Sequence, residues 1–288
     1  MRVPWVFFTC CLAAAGPPHP AWAQVAQTPR GAQQARDAAS RPQKHARAVH
    51  IPKGRIVADG RLSEPEWQQA EILTDFVQQE PVEGAPSNYR SEIRLLYDDE
   101  TLYLGAMLYD DEPDKLVMNE LKRDFAPRES DMFGITLDTF HDKLNGYGFF
   151  TMPAGARRDS QVADDGRANN QSFDAVWEVK TSIVPNGWIV EYAIPFRSLR
   201  FPDHDEQVWG LNVVRLVRRA NEITTWNFVP RSFPLSKPSY AGVLEGIHGV
   251  RPGRDIRVKP FALGEASRLV GVDDVQGDGG VDVKVGIG

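Results

Sequence analysis

Between residues 91 and 218 the apolar side chains recur at every second position. The runs are short: "SEIRLLY" (91–97), "TLYLGAMLYD" (101–110), "DMFGITLDTF" (131–140), "GYGFFTM" (146–152), "DAVWEVKTSIV" (174–184), "GWIVEYAI" (187–194) and "VWGLNVVRLVR" (208–218). A period of two puts successive side chains on opposite faces of a strand, and β-branched and aromatic residues favour that pleated surface. Turn formers separate the runs, namely "DDE" (98–100), "PAG" (153–155), "PNG" (185–187) and "PDHDE" (202–206). Strands at this spacing predict an all-β fold, an antiparallel β-sandwich. Helical signals are few. "SEPEWQQA" (63–70) offers Ser63 as N-cap with Pro65 in the first turn, and "PFRSL" (195–199) holds one turn at most.

The end of the chain alternates differently. "RDIRVKPFALGEAS" (254–267) and "GGVDVKVGIG" (279–288) interleave small or apolar residues with charged ones. A barrel wall reads this way when one face meets lipid and the other a polar lumen. These are expected to be the first strands of a β-barrel that continues in a longer chain; the alternative is that they complete the sandwich.

At the other end, Arg2, the apolar run Val3–Ala15 and "AWA" before Gln24 predict a secretory signal peptide cleaved after Ala23. Cys10 and Cys11 follow "VFFT", which is not a lipoprotein signal, so both leave with the leader. The exported chain then has no thiol for a disulfide, a zinc–thiolate site or a cysteine nucleophile. Residues 24–50 carry five basic residues against one acid and few large apolar ones, so they read as a disordered basic linker. The expected organisation is a signal peptide (1–23), a linker (24–50), the sandwich (51–250) and a barrel-like region (251–288), in the periplasm or outer membrane.

From Ile51 onward 27 Lys and Arg face 38 Asp and Glu. That balance argues against nucleic acid as a partner, which requires neutralising phosphates. No GxSxG, GxxxxGK[ST], HExxH or strand-to-helix GxGxxG motif is present, and no histidines stand at metal-ligand spacing. Two acid pairs stand as candidate glycosidase dyads, which need carboxyl groups about 5–9.5 Å apart. Glu178 and Glu191 flank "PNG". A three-residue loop would set Thr181 opposite Glu191 and turn Glu178 to the other face; an Asn-Gly turn would pair Glu191 with Ser182, about 13 Å along the strand from Glu178. Asp131 and Asp138 in "RESDMFGITLDTFHD" (128–142) fall at opposite strand ends, about 23 Å apart at full extension. Neither pair forms a dyad.

Trp177, Trp188, Trp209 and Trp226 fall on expected strands and read as core. The loop "DSQVADDGRANN" (159–170) collects Asp159, Asp164, Asp165, Asn169 and Asn170. It reads as a polar surface loop or, alternatively, as a Ca2+ loop, because hard oxygen donors at short spacing suit that ion.

In order, "IVADGRLSEPEWQQA" (56–70), "YDDETLYLGAMLYDDEPD" (97–114), "ESDMFGITLDTF" (129–140), "GWIVEYAIPFRSLRF" (187–201) and "TTWNFVPRSFPLSKPSYAGVLEG" (224–246) resemble the family 9 carbohydrate-binding module. The resemblance is closer still to bacterial envelope proteins in which such a module precedes an outer-membrane β-barrel. It implies a β-sandwich that binds the end of a saccharide or polysaccharide without catalysis of its own, in carbohydrate recognition or catabolism at the cell envelope. Sugar-binding members clamp the saccharide between two tryptophans on loops that here read "RDFAPRES" and "RSFPLSKPSY". Phe125 and Phe233, with Tyr240 in reserve, are the replacements the resemblance suggests, since stacking needs a flat apolar face. Arg128, Glu129 and Asp131 would supply hydrogen bonds to sugar hydroxyls. Asp59, Gly60, Glu64 and Trp67 match the family's opening motif and read as structural, Asp-Gly making a turn and Trp67 covering the core. Two alternatives stand beside this reading: a sugar-blind periplasmic or plug domain of an outer-membrane barrel, and a glycoside hydrolase.

Overall fold

The computed structural model describes residues 41–253, 255–269 and 272–286. The expected signal peptide and the linker up to residue 40 lie outside the described residues. Period-two patterning becomes two packed sheets. In the larger, β1 (His45–Arg47) lies beside β14 (Gly242–His248), followed by β12 (Glu206–Val217), β6 (Met132–Asp138), β7 (Gly146–Thr151), β8 (Arg157–Ala163) and β9 (Ala168–Asn170). From β12 a side branch leads through β13 (Glu222–Thr225) to β3 (Val77–Glu80). The smaller sheet runs β10 (Glu178–Val184), β11 (Gly187–Pro195), β5 (Thr101–Tyr109), β4 (Ser91–Tyr97) and β2 (Val49–His50).

Alternation fixes which residues meet between the sheets. Phe133, Ile135 and Leu137 of β6 and Phe149 of β7 face Leu95, Leu104, Trp188, Val190 and Tyr192 of the smaller sheet in one buried cluster, joined by Trp177, Phe196 and Trp209. The Tyr192 hydroxyl crosses the interface to donate to the Phe133 carbonyl at 3.1 Å. Arg215 is buried at one edge of this layer, where its guanidinium donates to the carbonyls of Arg90 and Tyr109 and to Ser91 Oγ, so the charge is spread over fixed dipoles instead of being stranded. Trp177, Trp188, Trp209 and Trp226 are all buried, as the patterning predicted, although Trp177 and Trp226 stand one residue outside β10 and β13.

The outer face of the smaller sheet is covered by the segment 51–70. Ile51, Ile56, Trp67 and Ala70 pack on Leu96 and Tyr103. Gly105 of β5 lies beneath the six-membered ring of Trp67, and a Cβ there would fall 2.9 Å from Trp67 Cζ3 and 2.7 Å from Leu62 Cδ2. Trp67 is thus structural, but it seals this outer face and not the main core.

Three expectations are corrected. The linker does not extend to residue 50: Ala46 and Ala48 are buried, and β1 pairs in parallel with β14, His45 opposite Val243. Pro65–Gln69 is a 3-10 helix whose N-cap position is Glu64, one residue later than Ser63. The β10–β11 hairpin turns on Pro185 and Asn186, with Val184 opposite Gly187 and Lys180 opposite Glu191, so neither of the two expected registers occurs. The final strands, β15 (Asp255–Leu269) and β16 (Val272–Gly286), form a separate two-stranded antiparallel sheet.

Candidate ligand-binding surface

Three loops meet at the start of β6. Gln79, on β3, donates through its side-chain amide to the carbonyls of Pro230 and Phe233, both at 3.2 Å. Arg231 answers with bonds to the carbonyls of Gln79 and Pro81. Arg128, from the loop before β6, forms an ion pair with Glu80 at 3.3 Å. These contacts set Arg128 and Glu80 beside the loop that carries Phe233 and Tyr240, and Glu129 is exposed next to Arg128.

Phe233 and Tyr240 are half-buried, and their ring centroids lie 5.3 Å apart at 33°. Rings in mutual contact leave no slot for a sugar between them; together they offer one aromatic platform. Lys237 Nζ lies 5.2 Å from the Phe233 centroid, within cation–π range, and is paired with Asp165.

The expected opposing ring is absent, because Phe125 is buried at 1% exposure. It packs with Met132, Phe150, Met152, Val214, Leu216 and Ile223 on the outer face of the larger sheet. Gly134 and Gly148 make this cluster possible: the Phe150 ring lies across both, and a Cβ on Gly134 would stand 2.1 Å from Phe150 Cδ1. Gly134→Ala, which in an open strand would stabilise, is therefore expected to cost about 1–3 kcal/mol by overpacking, read as a lower midpoint in denaturant. Arg158 is buried on the same face and donates to the Phe125 carbonyl at 2.9 Å, holding the loop down.

Asp131 is likewise withdrawn from any ligand. Its carboxylate accepts the backbone N–H of Val117 at 2.5 Å and of Arg218 at 2.8 Å. Burial pushes its pKa up while these two bonds oppose the shift. Of the six expected binding residues, then, Arg128, Glu129, Phe233 and Tyr240 border one surface, whereas Phe125 and Asp131 are internal.

The expected calcium ligands do not converge. Asp159 is fully buried on β8 and accepts from Arg123 Nη2 and the Ala175 N–H. Asp164 pairs with Arg167, and Asn169 is exposed on β9. Asp165 holds the 237–239 turn, accepting from Lys237, Ser239 N and Ser239 Oγ. Cations and N–H groups already neutralise these acids, and no group of three or more acidic, histidine or cysteine side chains able to hold a metal occurs among the described residues.

Glu191 has a role that the strand pattern did not reveal. Its Oε2 accepts three consecutive backbone N–H groups, from Asp59 (2.9 Å), Gly60 (2.7 Å) and Arg61 (3.1 Å). The Asp-Gly turn is thereby pinned to the outer face of β11. Glu191 Oε1, Glu64 Oε2 and Trp67 Nε1 are buried there without hydrogen-bond partners in the protein. Burial, with the neighbouring Glu64 charge, pushes the Glu191 carboxyl up to about 7. Glu178 shares its strand face in the observed register but is exposed, while the Glu191 carboxylate is committed to backbone.

Two packed, mainly antiparallel sheets, with an aromatic platform on surface loops, define the class of a β-sandwich binding module. The chain belongs to the carbohydrate family 9 binding domain-like family, whose model matches residues 57–226. A curated relative, exoglucanase XynX of Acetivibrio thermocellus, is 26% identical over 160 residues, which is 56% of this chain and 13% of that protein. The chain thus spans little more than an eighth of that relative. Two structures of a family 9 carbohydrate-binding module from Caldicellulosiruptor kristjanssonii share the fold. One, in complex with cellotriose, is 18% identical with a TM-score of 0.50 over 74% of this chain and 95% of the other. The second, in complex with glucose, is 17% identical with a TM-score of 0.51 over 73% and 96%. A Bacteroides uniformis protein superimposes with a TM-score of 0.58 at 12% identity, over 72% of this chain and 100% of the other.

Proposed function

We propose that this chain is a carbohydrate-binding domain without catalysis of its own, serving carbohydrate recognition or catabolism at the cell envelope. The observation that carries the reading is the Phe233–Tyr240 platform bordered by the Arg128–Glu80 ion pair, in a chain of a carbohydrate-binding family. A pyranose presents an apolar face of C–H groups to such rings, and its hydroxyls meet charged groups at the rim. Arg128 and Glu129 take that second role. Stacking is one-sided here, since the Phe125 face is closed.

The domain bounds follow from the same reading. Residues 1–23 export the chain, the sandwich occupies 45–250, and β15–β16 begin an outer-membrane β-barrel. The alternating pattern of small or apolar with charged residues after Arg254 supports that continuation.

Calorimetric titration of the full chain with glucose, cellobiose, cellotriose and xylobiose tests the site. Saccharide binding weakened about tenfold or more in Phe233→Ala, and reduced in Arg128→Ala, is expected. A folded protein that gives no heat with any saccharide would overturn the reading in favour of a sugar-blind interaction domain of the barrel.

A further inference from the structure

At the C-terminal end of β6, the β6–β7 connection borders an open cleft of about 360 Å³ lined by Thr139, Phe140, Asp142, Asn145, Gly146, Tyr147, Gln161 and Arg200. Its size falls at the lower end of small-ligand pockets, about 300–1,000 Å³. The Phe233–Tyr240 platform is tied to the same connection, because Asp165, which holds the 237–239 turn, donates its backbone N–H to the Leu144 carbonyl at 2.9 Å, but the two places share no lining residue.

The lining pairs aromatic surface with planar polar groups. Phe140 is 49% exposed, a large apolar ring that nothing in the described fold covers. Tyr147 forms the buried floor, its ring packed on Phe173 at 5.4 Å and its hydroxyl accepting the Arg200 N–H at 3.3 Å. Thr139 Oγ1 donates to the Arg200 carbonyl, so both strand ends and the Arg200 segment are tied together beneath the cleft.

The walls are held in place before any ligand arrives. Asp138, buried, accepts the N–H groups of Asp142 and Lys143. Asp142 in turn accepts from Leu144 N and Asn145 N, both at 2.8 Å, and from Asn145 Nδ2 at 2.7 Å. This fixes the plane of the Asn145 amide. Gln161 contributes a second amide from β8, where it is exposed opposite Tyr147. One carboxylate, Asp142, and one guanidinium, Arg200, balance each other in charge.

We propose that this cleft is a second saccharide site, for a neutral sugar residue whose apolar face lies on Phe140 and whose hydroxyls meet Asn145, Gln161 and Arg200. A lining of one carboxylate, one guanidinium, two amides and one open ring suits an uncharged, amphipathic ring bearing adjacent hydroxyls; it does not suit an anion or an aliphatic chain. The proposal rests on the carbohydrate-binding reading for the class of ligand, not for the place.

The full chain is titrated with glucose, cellobiose, cellotriose and xylobiose by calorimetry, and the side-chain amide signals of Asn145 and Gln161 are followed by NMR. Two sites per chain are expected, with Phe140→Ala or Gln161→Ala removing one, by at least about tenfold in affinity, while Phe233→Ala removes the other. Binding abolished by Phe140→Ala and untouched by Phe233→Ala would keep this inference and sink the platform. Binding abolished by Phe233→Ala, with the Asn145 and Gln161 amides unmoved by sugar, would overturn it and leave the platform standing. No binding to the folded chain would overturn both.

Discussion

Trp177→Ala lowers the unfolding free energy by about 3–5 kcal/mol, the range for deleting a large buried aromatic. The indole is buried between the sheets, edge-to-face with Phe149 at 5.1 Å and with Tyr192 at 5.0 Å. Tyr192 is the residue whose hydroxyl crosses to Phe133, so the cavity opens beside a polar tie between the sheets. Trp177 Nε1 has no hydrogen-bond partner in the protein, which makes the loss one of packing alone. Trp177→Phe is accordingly expected to recover much of it. Urea unfolding followed by near-ultraviolet dichroism measures both; a loss below about 1.5 kcal/mol for the alanine variant would mean that the sheets close over the gap.

Glu191→Gln is expected to stabilise the protein at pH 8 and to do little at pH 4. The wild-type carboxyl titrates at about 7 in the folded chain against 4.5 when unperturbed. Below the lower value it is neutral in both states. Between the two, the folded chain keeps a proton that the unfolded chain has released, so stability falls as pH rises. Above about 7 the full penalty is present, on the order of 3 kcal/mol. Glutamine retains a carbonyl oxygen for the N–H groups of Asp59, Gly60 and Arg61 and turns an N–H₂ group toward the Glu64 carboxylate. Its advantage should therefore grow across pH 5–7 and then level off. An advantage equal at pH 5 and pH 8 would show that the carboxyl is not protonated in the fold.

Strand patterning carried most of the architecture. Runs such as "GWIVEYAI" alternate so strictly that Trp188, Val190 and Tyr192 could only face one way. What the pattern could not show is which distant backbone meets the outward residues. Glu191 stands at an outward position, and its partners are about 130 positions earlier in the chain, in a turn whose N–H groups leave no trace in side-chain identity.

Phe125 failed for a related reason. Its neighbours in "RDFAPRES" are charged, so the ring reads as a loop tip, yet Gly134 and Gly148 hollow the sheet face that receives the apolar cluster. The acids of 159–170 are close in sequence, but Asp159 points into the protein from β8 while Asp164 and Asp165 lie past the strand end, where each meets its own cation. Phe233 and Tyr240, read as aromatic loop residues, do stand half-buried and in mutual contact, whereas their contact and the Arg128–Glu80 ion pair join segments too far apart in the chain for its pattern to show.

The parallel pairing of β1 with β14 has a mechanical consequence. The two strands run in the same direction, with His45 beside Val243 and Arg47 beside Glu245. The chain therefore enters the sandwich at one end of this pair and leaves β14 at the other. A pull between the preceding segment and the segment that follows acts along the strands, loading their hydrogen bonds together in shear instead of peeling them one at a time. The first and last strands of the sandwich thus act as a clasp against axial tension.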